Sequence, residues 1–460
     1  MSNSVQCIFE NDAIVTANLS TKQYVENQKG LVCSLLVDGT HYMIIKKVDK
    51  QTTEMVRSVA GDVSRTLQGQ KVKNATIDAI QLGEHFKNLS NEAVITAFTE
   101  GWELGAYQFT KYKSNEEPFK TALTYKNAET FEKAIQTGTI RAEATSFSRD
   151  LMNELSSTLN PETYPEVLRE QFAHTTVQVK VLGKEKLEEL EMNGVLTVGR
   201  GSKYKPSFVE LVYEGDPSKP LVALVGKGVT FDTGGISLKS GRDLSDMRMD
   251  MGGSAAVAGA ISLLAQSKAQ VNVVALIPIV ENAPDNTSVY PGEIITYKNG
   301  KTVQIGNTDA EGRLILADGL IRAGEYQAEY IVDIATLTGA IGNALGTELG
   351  GVFGDEALAY ELKKLGDENG DFVWPMPLVD DYDSSLNSDY ADMNNMSSLS
   401  MAGSITAALF LRRFVPENSK WLHVDMAGVM EKNKACGYYA KSATGYGARL
   451  LADFTTSVSK

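Results

Sequence analysis

The stretch Leu221-Val222-Ala223-Leu224-Val225-Gly226-Lys227-Gly228-Val229-Thr230-Phe231-Asp232-Thr233-Gly234-Gly235-Ile236-Ser237-Leu238-Lys239 passes from five apolar residues into a glycine-rich segment holding two lysines and an aspartate. A short unbroken apolar run reads as a strand buried on both faces. Val271–Val280, Tyr330–Ala335 and Trp421–Met426 read the same way. Helix-like stretches lie between these runs, at Gly253–Gln266, Arg313–Ala323 and Ala402–Phe414. The alternation predicts an α/β fold with a mainly parallel sheet flanked by helices. Ligands in such sheets bind at the carboxyl ends of the strands. Lys227 follows the first strand, Glu281 the second and Thr336-Leu337 the third, so these positions become candidates for function.

Two further segments carry acids. In Asn307-Thr308-Asp309-Ala310-Glu311-Gly312-Arg313-Leu314, Asp309 and Glu311 stand two positions apart. In extended backbone they would leave the same face, as paired metal ligands must. The alternative is an ordinary helix start, where acids are also favoured. In Met247-Arg248-Met249-Asp250-Met251-Gly252-Gly253 an aspartate sits among apolar and small residues. Four carboxylates (Asp232, Asp250, Asp309 and Glu311) would be prohibitively costly together without cations. Two divalent ions would neutralise them, with Lys227, Lys239 and Arg313 adding positive charge.

These segments, with Ala335-Thr336-Leu337-Thr338-Gly339 and His423-Val424-Asp425-Met426-Ala427-Gly428-Val429-Met430, resemble the leucine aminopeptidase (cytosol aminopeptidase) family of two-metal exopeptidases. The resemblance is clear from about residue 150 onward and faint before it. It implies that Lys227, Asp232, Asp250, Asp309 and Glu311 bind two metals per subunit, manganese or zinc. Lys239 would polarise the substrate carbonyl, and Arg313 would hold a bicarbonate-like anion that helps deprotonate the attacking water. Met247, Thr336, Gly339, Ala427 and Met430 would form the pocket for the first side chain, and Leu337 would lend its carbonyl to a metal. The implied reaction is removal of leucine-like or other apolar N-terminal residues from peptides with a free α-amine, by a homohexamer. Each residue also has a plainer reading: a turn aspartate at 232, a carboxylate tied to amides at 250, a solvated lysine at 239, core methionines at 247 and 430. His423, in a strand-like run, reads as structural. Asn153-Glu154-Leu155-Ser156-Ser157-Thr158-Leu159 departs from the family, which usually carries a proline and a second asparagine there.

At 460 residues the chain exceeds one ordinary core. The expected division is an N-terminal α/β domain over 1–140, a connecting helix and linker over 141–160, and a catalytic domain over 161–460. Strand-like Leu31–Val37 and His41–Val48 and helix-like Glu92–Leu104 fall in the first part, residues 113–120 read as an exposed loop, and Arg141–Leu155 reads as the connecting helix. Apolar content of 43% and charged content of 22% are those of a globular protein. No apolar run approaches a membrane span, and the N-terminus lacks the pattern of a signal peptide. Three scattered cysteines imply no disulfide framework, which fits a reducing cytoplasm.

A net charge of −14 argues against non-specific phosphate binding, so nucleic acid is not an expected partner. His-Glu-x-x-His and Gly-x-Ser-x-Gly are both absent. Two alternatives accompany the peptidase reading. A two-metal phosphoesterase would use the same ligand chemistry. An added DNA-binding or regulatory role would belong to another class.

Overall fold

The structure is a computed structural model and describes residues 4–114 and 117–460; Met1–Asn3 of the expected leaderless start, and Asn115 and Glu116 of the expected loop, lie outside the described residues. The chain forms two compact units. One holds the described residues of Met1–Ser146 with Glu368–Gly370 and Lys432–Ser442, the other Phe147–Asp367, Asp371–Glu431 and Ala443–Lys460.

The smaller unit carries strands β1 (Ser4–Phe9), β2 (Val32–Val37), β3 (Thr40–Ile45), β4 (Asn74–Asp78) and β5 (Ala122–Lys126), in spatial order β2-β3-β1-β4-β5. All pairings are parallel except the β2–β3 hairpin. Helices Thr53–Gly69 and Asn91–Gly105 pack on each other. Each opens on a side chain that caps a backbone amide: Thr52 accepts from Met55 N and Ser90 from Ala93 N. Glu132–Asn153 is helical, starting nine residues before the expected Arg141. Its apolar positions lack a clear face, so periodicity gave no earlier starting point.

The larger unit is built on β6 (Gln178–Leu182), β7 (Ser207–Glu214), β8 (Leu221–Gly226), β9 (Gly228–Asp232), β10 (Asn272–Asn282), β11 (Ile294–Thr296), β12 (Thr302–Gln304), β13 (Tyr330–Ala335), β14 (Gly350–Gly354), β15 (Val373–Pro375), β16 (Met393–Asn394) and β17 (Lys420–Asp425). The main sheet runs β15-β14-β17-β13-β8-β10-β7-β6, with β9 also paired to β10. The four expected strands form its parallel centre, β17-β13-β8-β10. The flanks depart from parallel: β7 opposes β10, β6 opposes β7 and β14 opposes β17. β7 and β8 lie on either side of β10, and the Gly215–Pro220 connection between them is too short for the crossover that would make them run the same way.

From β8 the chain crosses through helix Gly252–Gln266 to β10 on one side, then through helix Gly312–Glu325 to β13 on the other. Right-handed crossovers in opposite directions place these helices on opposite faces. The first is apolar throughout and buried between the sheet and helix Ala448–Val458. The second packs with helices Asn193–Gly199 and Gly403–Arg412. The carboxyl ends of β8 and β13, where the strand order reverses, therefore open a crevice for ligands. Among the described residues no helix is long and apolar enough to cross a membrane.

Candidate metal centre

Lys227 leaves the end of β8 and is buried, as are Asp232 at the end of β9, Asp250 just before helix Gly252–Gln266, and Glu311 just before helix Gly312–Glu325. Two glycines bring these elements together. A Cβ at Gly253 would lie 2.0 Å from Ile334 O, so only glycine lets that helix start against β13. A Cβ at Gly312 would lie 2.7 Å from Lys227 Cε and 2.8 Å from its Nζ, so Gly312 provides the trough in which the lysine lies.

The two lysines sit among the four carboxylates. Lys227 Nζ is 2.8 Å from Asp250 Oδ1, 2.8 Å from Asp250 Oδ2, 2.9 Å from Glu311 Oε1 and 3.0 Å from Thr336 O. Lys239 Nζ is 2.8 Å from Asp232 Oδ2 and also meets Asp309 Oδ1. Asp232 Oδ1 accepts from Gly234 N at 2.9 Å and Asn282 Nδ2 at 2.8 Å, while Thr336 Oγ1 donates to Asp250 Oδ1 at 2.8 Å.

Burial opposes charge on both lysines, but the surrounding carboxylates outweigh it and raise their pKa values: Asp250, Glu311 and Asp232 around Lys227, Asp232 first around Lys239. Burial raises Asp250, Asp309 and Glu311, and the proximity of Asp232 adds to each shift. Burial also brings the Arg313 guanidinium down to about 10, against the pull of Glu311 and Asp425.

This donor set fits divalent cations. Oxygens of Asp232, Asp309 and Glu311 can all lie within 4.8 Å of one another. Glu311 Oε2 is buried with no hydrogen-bond partner, and Asp250 Oδ2 and Asp309 Oδ1 meet only a lysine ammonium. Buried carboxylate oxygens left in this way are suited to a cation. Arg313 Nε is likewise buried and unpartnered, as an anion-binding guanidinium would be.

The thirteen residues that the family resemblance implies all line one cavity of about 570 Å³: Lys227, Asp232, Lys239, Met247, Asp250, Asp309, Glu311, Arg313, Thr336, Leu337, Gly339, Ala427 and Met430. Glu281 does not line it. It lies inside β10, which extends to Asn282, and accepts from Ser202 Oγ. Side chains alternate along a strand, so its neighbour Asn282 is the residue that reaches Asp232 and, at 3.0 Å, Thr308 O. His423 is buried, with Nδ1 2.5 Å from Asp333 Oδ1, away from the cavity lining.

Sequence reasoning passed over several residues here. Arg242 and Asp246 pair at 2.7 Å and both line the cavity, as does Met396. Asp425 is fully buried and accepts from Leu337 N, Thr338 N, Ala427 N and, at 2.6 Å, Thr338 Oγ1. Its place at the end of β17 is the signal that could have marked it. Asn282, the last residue of β10, carries the same strand-end signal, whereas Asn395 carries none in the sequence.

A profile of the cytosol aminopeptidase family's catalytic domain matches residues 146–452, and one of its N-terminal domain matches 47–116. The chain belongs to the cytosol aminopeptidase family. It is therefore a hydrolase, a metal-dependent aminopeptidase, which sets the phosphoesterase alternative aside. The N-terminal match also covers part of the region where resemblance was faint. Relatives include a probable cytosol aminopeptidase of Rickettsia peacockii, 36% identical over 98% of this chain and 93% of that protein. Another, from Rickettsia bellii, is 38% identical over 88% and 82%. Among solved structures, the bottromycin maturation enzyme BotP in complex with Mn superposes with a TM-score of 0.91 at 30% identity, covering all of both chains.

Proposed function

We propose that this aminopeptidase releases leucine-like and other apolar residues from peptides with a free α-amine, at a site for two divalent ions. The observation that carries the reading is the buried, unpartnered Glu311 Oε2 beside Asp232 and Asp309, in a cavity that also exposes apolar side chains. Asp232, Asp250, Asp309, Glu311 and Lys227 would hold the ions, with the Leu337 carbonyl as a further donor. Ions held there supply Lewis acidity and a water of lowered pKa.

The chain's own groups divide the remaining work. Asp250, buried beside the cavity, orients the α-amine and so restricts cleavage to the first peptide bond. Lys239 keeps its proton beside Asp232 and Asp309, and its ammonium meets charge developing on the scissile carbonyl oxygen. Arg313, with Nε free, holds a bicarbonate-sized anion that accepts a proton from the attacking water. Met247, Thr336, Gly339, Ala427 and Met430 receive the first side chain, and methionines make that wall adaptable. Manganese is the first ion to test, because BotP is described in complex with Mn; zinc is the second. A homohexamer and a cytoplasmic location complete the proposal.

The test compares leucine-terminated peptides with their N-acetylated forms, under manganese and then zinc. Only the free-amine peptides should turn over. Equal turnover of both would remove the exopeptidase assignment.

A further inference from the structure

The loop that carries Asp309 and Glu311 and leads into Arg313 is held at Thr308 by Ser237, Gly234 O and Asn282, and on either side of it by a single further side chain. Asn395 is fully buried, just beyond β16. Its Oδ1 accepts from Gly306 N at 2.8 Å and Asn307 N at 3.2 Å. Its Nδ2 donates to Asn307 O at 2.7 Å and Ala310 O at 3.2 Å. A carboxamide offers two donors and two acceptor lone pairs, so all four are used on a single loop. The Asn395 main chain adds two anchors: its N donates to Gln304 O at 3.0 Å, and its O accepts from Arg313 Nη1 at 2.8 Å.

The β16 backbone is itself fixed by parallel pairing with β12, Val303 to Met393 and Gln304 to Asn394. Residues 306–311 lie outside any helix or strand, and both ligand carboxylates project from them. Without the carboxamide, Gly306 N, Asn307 N and Ala310 O lose the partner it gives them, and Asn307 O keeps only its bond from Ala310 N at 3.3 Å. The same asparagine fixes one arm of Arg313 and leaves Nε as the arm free for an anion.

We infer that Asn395 is a positioning residue of the metal centre: its carboxamide sets where Asp309 and Glu311 stand, and its carbonyl sets where Arg313 points. This deepens the proposed function and rests on it for the role of the ions, but it can be read from metal binding alone. A misplacement of the reacting groups by about 1 Å costs on the order of 10²-fold in rate.

The experiment uses the full chain with Asn395→Ala and Asn395→Ser, the latter keeping one hydroxyl in case alanine does not fold. Ser388→Ala serves as a control, since Ser388 Oγ bonds Gln304 Oε1 at 2.6 Å on the same strand system and otherwise accepts from Tyr390 N and Ala391 N, outside the ligand loop. Calorimetric titration with Mn²⁺ and steady-state kinetics on leucine amide are read on folded protein, with circular dichroism as the fold check. Both Asn395 variants should bind Mn²⁺ at least about tenfold more weakly and lose on the order of 10²-fold in kcat. KM at saturating metal should move less than kcat, and Ser388→Ala should match the parent protein. A purely structural asparagine predicts a lower melting temperature with parental Mn²⁺ affinity and kcat per folded molecule, and that result overturns the inference. If the parent protein binds Mn²⁺ but cleaves no aminoacyl amide, the function falls while weakened Mn²⁺ binding in the variants still supports the role of Asn395.

Discussion

Replacing Gly312 with alanine tests whether the Lys227 trough matters. The added methyl carbon would lie 2.7 Å from Lys227 Cε, 2.8 Å from Nζ and 2.9 Å from Cδ. Carbon atoms prefer about 3.5–4.0 Å, so the lysine tip must retreat by roughly 1 Å. A surface lysine would swing aside, but this one is 3% exposed and its Nζ lies within 3.0 Å of Asp250, Glu311 and Thr336 O. Overpacking of a tight site costs about 1–3 kcal/mol. Pulling the ammonium out of a buried pair would raise the loss to about 3–5 kcal/mol.

We therefore expect Gly312→Ala to destabilise chelated protein within that range and to lower kcat/KM on leucine amide by on the order of 10²-fold. Urea unfolding of the chelated protein gives the first quantity. The cause is isolated by a double-mutant cycle, with Gly312→Ala made again in a Lys227→Ala background. With the lysine tip absent, the methyl group has room and should cost little. An equal penalty in both backgrounds, or parental behaviour of the single variant, would refute the trough.

Further outcomes follow from the same geometry. Asp309→Asn removes one charge from the four-carboxylate cluster, so metal occupancy and activity should fall by orders of magnitude while chelated protein keeps or gains stability; normal metal content in this variant would remove Asp309 from the ligand set. Thr338→Ala deletes the cap on Ile341 N and the donor to Asp425 Oδ2, which should cost about 1–2 kcal/mol in denaturant unfolding. Neighbouring carboxylates raise Lys227 against the effect of burial, and burial with nearby acids raises Asp250 and Glu311, so protons compete with a metal at this site. Mn²⁺ affinity should accordingly strengthen as pH rises, with proton release on binding, and a flat profile would contradict this. Light scattering should report a homohexamer, and a stable monomer at working concentration would count against it.

The parallel centre of the larger unit was legible because β8, β10, β13 and β17 are buried on both faces, and such strands are written as unbroken apolar runs. The acids became legible as a group, since each alone has a plainer reading and only four carboxylates taken together with the family resemblance point to cations. The antiparallel flanks were not, since direction is set by connection length and packing rather than by the composition of a strand. The apolar run ends at Val280 and so points to Glu281, but β10 continues two residues further and alternation gives the site Asn282. Asn395 was invisible for a different reason. It lies 84 residues beyond Glu311 in a polar, irregular stretch, and only the fold brings its amide onto the loop.

The central claim is that the Asp232–Asp250–Asp309–Glu311 cluster holds two catalytic metal ions. The most direct measurement is calorimetric titration of chelated protein with Mn²⁺, with leucine amide hydrolysis followed on the same samples. The account predicts saturation at two ions per chain, activity that rises with occupancy, and loss of both in Glu311→Gln. Hydrolysis at the full rate by chelated protein, or undiminished Mn²⁺ binding and activity in Glu311→Gln, would contradict it.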